Sequence, residues 1–158
     1  MRRSLVTGSA LCALIIAMTG CSVNQLPTYE TVQTETESAM QLIVDELPNG
    51  SEVEDLTASA PFACAEGGVF FTGHWFVTPP QGFDTREFIE TLPSTLSYDF
   101  AVEPTEVPTS YPSVSLRTSD GSDVSMDVSD VDPDSNPGIN ILALSRCAQD
   151  PGDGQNEN

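Results

Sequence analysis

Lysine is absent from this chain of 158 residues, and its five basic residues are all arginines. Beyond residue 20 only Arg86, Arg117 and Arg146 stand against 24 acidic residues, a formal charge of −21. Such a surface repels nucleic acid and anionic headgroups, so neither is expected as a direct partner. It favours solubility, divalent cations or a basic partner, and its plainest use is solvation of an exported protein. Histidine occurs once, at His74, and there is no C-x-x-C spacing, so the usual zinc donor sets cannot be assembled. G-x-S-x-G, P-loop and zincin motifs are missing as well. The chain reads as a non-enzymatic protein without a cofactor, and binding is the function left to consider.

Positive charge is concentrated at the start, in Arg2 and Arg3, followed by the uncharged, mostly aliphatic run Ser4 to Thr19. About 16 residues is short for a bilayer span, which needs roughly 20, and suits a secretory signal. Met18-Thr19-Gly20 does not fit an ordinary A-x-A cleavage site, because its first position is bulky. The stretch "LIIAMTGCS" resembles instead the lipobox of bacterial lipoproteins: an aliphatic residue, two small ones and then Cys21. The resemblance implies that residues 1–20 are removed and that the Cys21 sulfur and the new N-terminus are acylated. The protein would then sit on the extracytoplasmic face of the cell membrane. Two or more acyl chains, at about 0.8 kcal/mol per buried methylene, hold a protein stably where one would not. An uncleaved anchor and a plainly secreted protein are the alternatives.

Cys12 leaves with the signal and Cys21 is the lipid site, so Cys64 and Cys147 remain. In an exported chain two cysteines read as one disulfide. Closing a loop of over 80 residues is worth roughly 4.5 kcal/mol in the chain-entropy model.

Residues 21–27 form a short lipidated tether, 28–147 a single domain and 148–158 a polar tail expected to be disordered. Tyr29, Val32, Thr36, Met40, Ile43 and Leu47 recur at helical spacing and predict an amphipathic helix ended by Pro48-Asn49-Gly50. Ser51 to Ala60 has no period. "GGVFFTGHWFVTPP" reads as a strand apolar on both faces. Asp84 and Glu87 resemble a capping box ahead of a second helix that Pro93 limits or kinks. Tyr98 to Val102 is a candidate short strand. "SVSLRTSDGSDVSMDV" is a hairpin turning at Asp120-Gly121, and "GINILALSRC" a buried last strand.

The cysteines lie just before the first strand and just after the last, and a disulfide needs Cα atoms within about 7 Å. In a parallel pair those points would be roughly 20 Å apart, so the two strands are neighbours and antiparallel. The fold expected is α+β, a mainly antiparallel sheet of four to five strands with two helices packed on it.

Two candidate sites emerge. Phe70, His74 and Phe76 share one face of the first strand and would form an apolar binding surface, unless the N-terminal helix covers them. Asp130, Asp132, Asp134 and Asn136 alternate as in the opening of an EF-hand loop, which would suit calcium. Ser135 replaces the turn glycine and Ile141 the bidentate glutamate, so a solvated loop is the alternative.

Cys21, the helix ending at Pro48, "PFACAEGG", the strand through Trp75 and "INILALSRC" together resemble small actinobacterial cell-envelope lipoproteins of the mycobacterial LppA type. The resemblance implies a location and a fold, and no catalytic residue. The functions expected are a non-enzymatic binding or envelope-contact module, a carrier for a small apolar ligand or lipid, or a calcium-responsive domain. Metabolic labelling with a palmitate analogue should mark the wild-type protein and leave Cys21→Ala unlabelled; a labelled variant would contradict the lipobox reading.

Overall fold

The computed structural model describes residues 26–96, 99–104, 109–131 and 138–152. The first helix, α1, spans Tyr29–Asp45. Thr28 precedes it with extended backbone, and its Oγ1 accepts a hydrogen bond from Thr31 N at 3.2 Å, meeting one of the amides that a helix start leaves orphaned. Its buried stripe, Val32, Thr36, Ala39, Met40 and Ile43, follows the three- and four-residue spacing of the sequence. Thr36 is buried at no polar cost because its hydroxyl donates to Val32 O at 2.7 Å. The second helix, α2, spans Thr85–Thr95 and starts where expected: Asp84 Oδ1 accepts from Glu87 N at 2.9 Å. Pro93 falls in its last turn, and the helix runs only two residues past it. A proline there removes few backbone bonds, so the helix is limited rather than broken.

Six strands form one antiparallel sheet: β1 (Glu52–Asp55), β4 (Thr72–Thr78), β5 (Phe100–Glu103), β6 (Ser113–Thr118), β7 (Ser125–Val131) and β8 (Gly138–Leu144). Their order across the sheet is β1-β4-β8-β7-β6-β5. A separate two-stranded ribbon pairs β2 (Phe62–Ala63) with β3 (Val69–Phe70). The fold is α+β. The long strand after Cys64 lies antiparallel to the last one, from Thr72↔Leu144 to Val77↔Ile139. The Cys64–Cys147 disulfide closes the end of this pair, with Cα atoms 6.0 Å apart.

Three features depart from the sequence reading. The aperiodic linker contains β1, so the sheet has one strand more than four or five. The single strand expected between Gly67-Gly68 and Pro79-Pro80 divides at Phe71 into β3 and β4. Phe71 still pairs with the C-terminal strand, since Ser145 N donates to Phe71 O at 3.0 Å and Ser145 Oγ accepts from Phe71 N at 2.9 Å. The polar tail begins inside the fold: Ala148 is fully buried and exchanges two backbone hydrogen bonds with Val69. At the other end, Pro27 O accepts from Gln149 N, and Leu26 O from Gln149 Nε2.

The core lies between the two helices and one face of the sheet. Cross-strand rows on that face join Trp75, Ile141, Val128 and Val114, and beside them Gly73, Ala143, Met126 and Leu116. Met40 and Ile43 of α1 and Ile89 and Leu92 of α2 pack against these rows. Gly73 admits this close approach, because a Cβ there would stand 2.4 Å from Met40 Sδ and that side chain would have to shift. A smaller cluster of Val32, Phe71 and Ala148, with Tyr29 against it, fills the end near the disulfide. Arg146 ties the parts together: Nη2 donates to Glu35 Oε1 on α1 at 2.9 Å, and Nη1 to Ser122 O in the β6–β7 turn at 2.7 Å.

That turn is longer than a two-residue hairpin, running from Thr118 to Val124 with Gly121 and Asp123 at positive φ. Ser122 Oγ and Ser122 N both donate to Asp120 Oδ1, at 2.6 and 2.9 Å, and hold the Asp120 carboxyl below its ordinary pKa. Its contribution to stability is therefore present above the ordinary aspartate pKa and fades as the pH falls through the depressed one.

Ile141 and Leu142 are chain neighbours on opposite faces of β8, fully buried and 44% exposed respectively. Ile141→Ala should cost about 2–5 kcal/mol in urea unfolding, whereas Leu142→Ala should cost less than about 1 kcal/mol.

Candidate functional site

Both helices occupy one side of the sheet, which leaves the other open. The chain leaving β1 is held along β4 by two hydrogen bonds and braced by a third within its own turn. Leu56 N donates to His74 O at 2.8 Å, His74 N to Thr57 Oγ1 at 3.1 Å, and Thr57 N to Asp55 Oδ1 at 2.9 Å. This places Leu56 on the open side beside His74. The β2–β3 ribbon brings up Phe62, and β8 supplies Leu142 and Leu144. The result is a groove of about 560 Å³, with His74, Ser115, Asp127 and Glu103 across its polar part. That volume falls within the range of small-molecule sites, about 300–1,000 Å³.

Nine large apolar side chains are exposed among the described residues, and four of them, Leu56, Phe62, Leu142 and Leu144, meet in this groove. Scattered exposed leucines are ordinary, whereas convergent ones mark a binding surface.

Phe70, His74 and Phe76 do not lie under α1; all three are half-buried on the ribbon and the open side of β4. Their surroundings differ. His74 lines the groove. Phe70 stands opposite Phe62 in the ribbon. Phe76 covers Gly138 on β8, where a Cβ would lie 2.3 Å from the Phe76 ring, so its role is packing. Of the three residues named from the sequence, His74 alone lines the groove. The sequence reading missed Leu56, Phe62, Leu142, Leu144 and Asp127. The doubly apolar pattern of "INILAL" was the available signal for two of them, since its alternate residues must face away from the core.

His74 Nε2 lies 2.7 Å from Asn140 Oδ1. A carbonyl oxygen can only accept, so Nε2 is the donor of this contact. Further across the sheet, Arg117 Nε donates to Glu103 Oε1 and Nη1 to Asp123 Oδ1, both at 2.6 Å. The hydrogen bond to Glu103, followed by that to Asp123, raises the guanidinium above its already high pKa, so it stays charged at any working pH. Asp127 has a neutral neighbour, accepting from Ser115 Oγ at 3.1 Å.

Of the proposed calcium ligands, Asp130 is buried on the helix side of β7, where its Oδ2 accepts from Thr85 Oγ1 at 2.9 Å. A carboxylate against the first turn of α2 suits the positive end of the helix dipole. Asp132, Asp134 and Asn136 lie outside the described residues, as does Cys21. Among the described residues no three His, Cys, Asp or Glu side chains are grouped to hold a metal, and no helix is long and apolar enough to cross a membrane.

Comparison with family models, curated proteins and solved structures yields no match. The groove and its chemistry are what the functional reading rests on.

The Phe62 wall depends on the disulfide, because Cys64 follows β2 directly and is tied to Cys147 across the end of β8. Replacing both cysteines by serine should cost about 2–5 kcal/mol in chemical unfolding. The folded remainder should also bind an apolar fluorescent probe more weakly than the oxidised protein does, since Phe62 loses its fixed position.

Proposed function

We propose that this protein is a lipid-anchored lipoprotein of the extracytoplasmic membrane face whose domain binds a small apolar ligand in the open groove of its sheet. The observation that carries the reading is the convergence of Leu56, Phe62, Leu142 and Leu144 on one concavity opposite the helices. The acyl anchor at Cys21 supplies attachment, and the groove supplies recognition. Eight or so methylenes buried there would contribute roughly 6 kcal/mol before the cost of immobilising the ligand, which points to dissociation constants of tens of micromolar or weaker. A carrier that exchanges its ligand readily works in that range. Held near the bilayer by a tether of at most about 20 Å, the groove would meet molecules leaving or entering the membrane. The mature charge of −21 keeps the domain off an anionic bilayer surface, so its ligand face stays accessible.

An uncharged anilinonaphthalene probe should brighten on the oxidised wild-type protein, and native mass spectrometry with an excess of added uncharged apolar ligand should show a one-to-one complex. Leu142→Glu places a charge on the groove floor without touching the core. It should reduce probe binding at least tenfold while leaving the unfolding midpoint within a few degrees of wild type. A variant that binds as well as the wild type would refute the assignment.

A further inference from the structure

The groove is polar at one end and apolar at the other, and the sign of its polar end selects a class of ligand. Building on the function proposed above, we propose that the groove takes an amphiphile with a cationic head, that Asp127 is the residue that pairs with that head, and that fatty acids and anionic lipids are rejected.

The cross-strand register lays out the groove. One row over the open side runs His74, Leu142, Asp127, Ser115 and Glu103, from β4 to β5. The next runs Thr72, Leu144, Ser125, Arg117 and Ala101. Apolar side chains therefore lie over β8, where Leu142 and Leu144 are joined by Leu56 and Phe62; β4 contributes the uncharged His74 and Thr72, and carboxylates lie over β7 and β5. Neighbouring strands are about 4.8 Å apart, so a hydrocarbon chain lying over β8 has its terminus within reach of β7. Asp127 is the first charged group it meets.

The charges along the groove are not equivalent. Arg117 is the one guanidinium near it, and both of its ion pairs are made elsewhere, with Glu103 and Asp123. Glu103 is neutralised by that contact. No ion pair among the described residues includes Asp127. It stands half-buried, with the Ser115 hydroxyl as its neutral partner, beside apolar surface that water cannot fully screen. No arginine lines the groove. An ammonium head placed at Asp127 gains an ion pair and loses little, whereas a carboxylate or phosphate there meets a like charge with no cation to offset it. The field of the whole domain acts in the same direction, with three arginines beyond residue 20 against 24 acidic residues.

The test is a calorimetric titration of the oxidised full chain with dodecylamine, dodecanol and dodecanoate, each below its aggregation concentration. The amine should bind at least tenfold more tightly than the alcohol, and the carboxylate most weakly, with the spread narrowing as salt is added. Asp127→Asn, which keeps the hydrogen bond from Ser115, should bring the amine down to the level of the alcohol in that variant. Asp127→Glu should retain the preference for the amine, which a merely structural role for Asp127 would not require. Equal binding of amine and carboxylate, or an unaltered preference in Asp127→Asn, would overturn the cationic-head assignment and leave the apolar groove standing. Binding of none of the three would overturn the groove itself.

Discussion

The antiparallel pairing of β4 with β8 is the constraint on which the rest of the structure depends. It joins residues separated by most of the domain, so its loop-closure cost falls on folding before any local contact can offset it. The disulfide removes much of that cost by shortening the accessible unfolded ensemble. Once the pair exists, the other strands have somewhere to add. β1 lies along one border of it, and the β7–β6–β5 meander extends the other. The two helices then cover the face that carries Val77, Ile139 and Ile141. Only after both helices have taken that side does the opposite one become a groove.

Much of this was legible because several local signals agreed. The α1 stripe, the Asp84 cap before α2 and the alternation of Val114 and Leu116 with Met126 and Val128 all name their structures in short windows of sequence. The position of the cysteines fixed the pairing of two distant strands. What was not legible has a common physical cause. Glu52–Asp55 carries three carboxylates in four residues and no alternating apolar pattern, and it is a strand because β4 offers it a row of unpaired backbone groups. Phe71 interrupts its strand because the pairing with the C-terminal segment shifts register near the disulfide. Both are decisions of the tertiary structure, which a window of neighbouring residues does not contain.

The candidate site shows the same division. A strand apolar on both faces indicated that something covers or binds the second face, and it could not indicate which face the helices would take. The groove is built from three places far apart in sequence: the Leu56 segment, the ribbon with Phe62, and the outward residues of β8. Asp127 becomes conspicuous only after Arg117 is seen to be engaged by Glu103 and Asp123. In a chain with 24 acidic residues no single carboxylate stands out by composition; its partners distinguish it.

The two borders of the main sheet are unequal. On one side β1 presents Glu52, Glu54 and Asp55, all exposed, and on the other β5 carries a single carboxylate, Glu103, and the exposed Val102. A bare sheet border is a template for another chain's backbone, and fibres grow when both borders can be used. Here the repulsion between two acidic β1 strands closes one of them. Pairing of like borders is thereby confined to β5 with β5, which would make a closed two-fold pair.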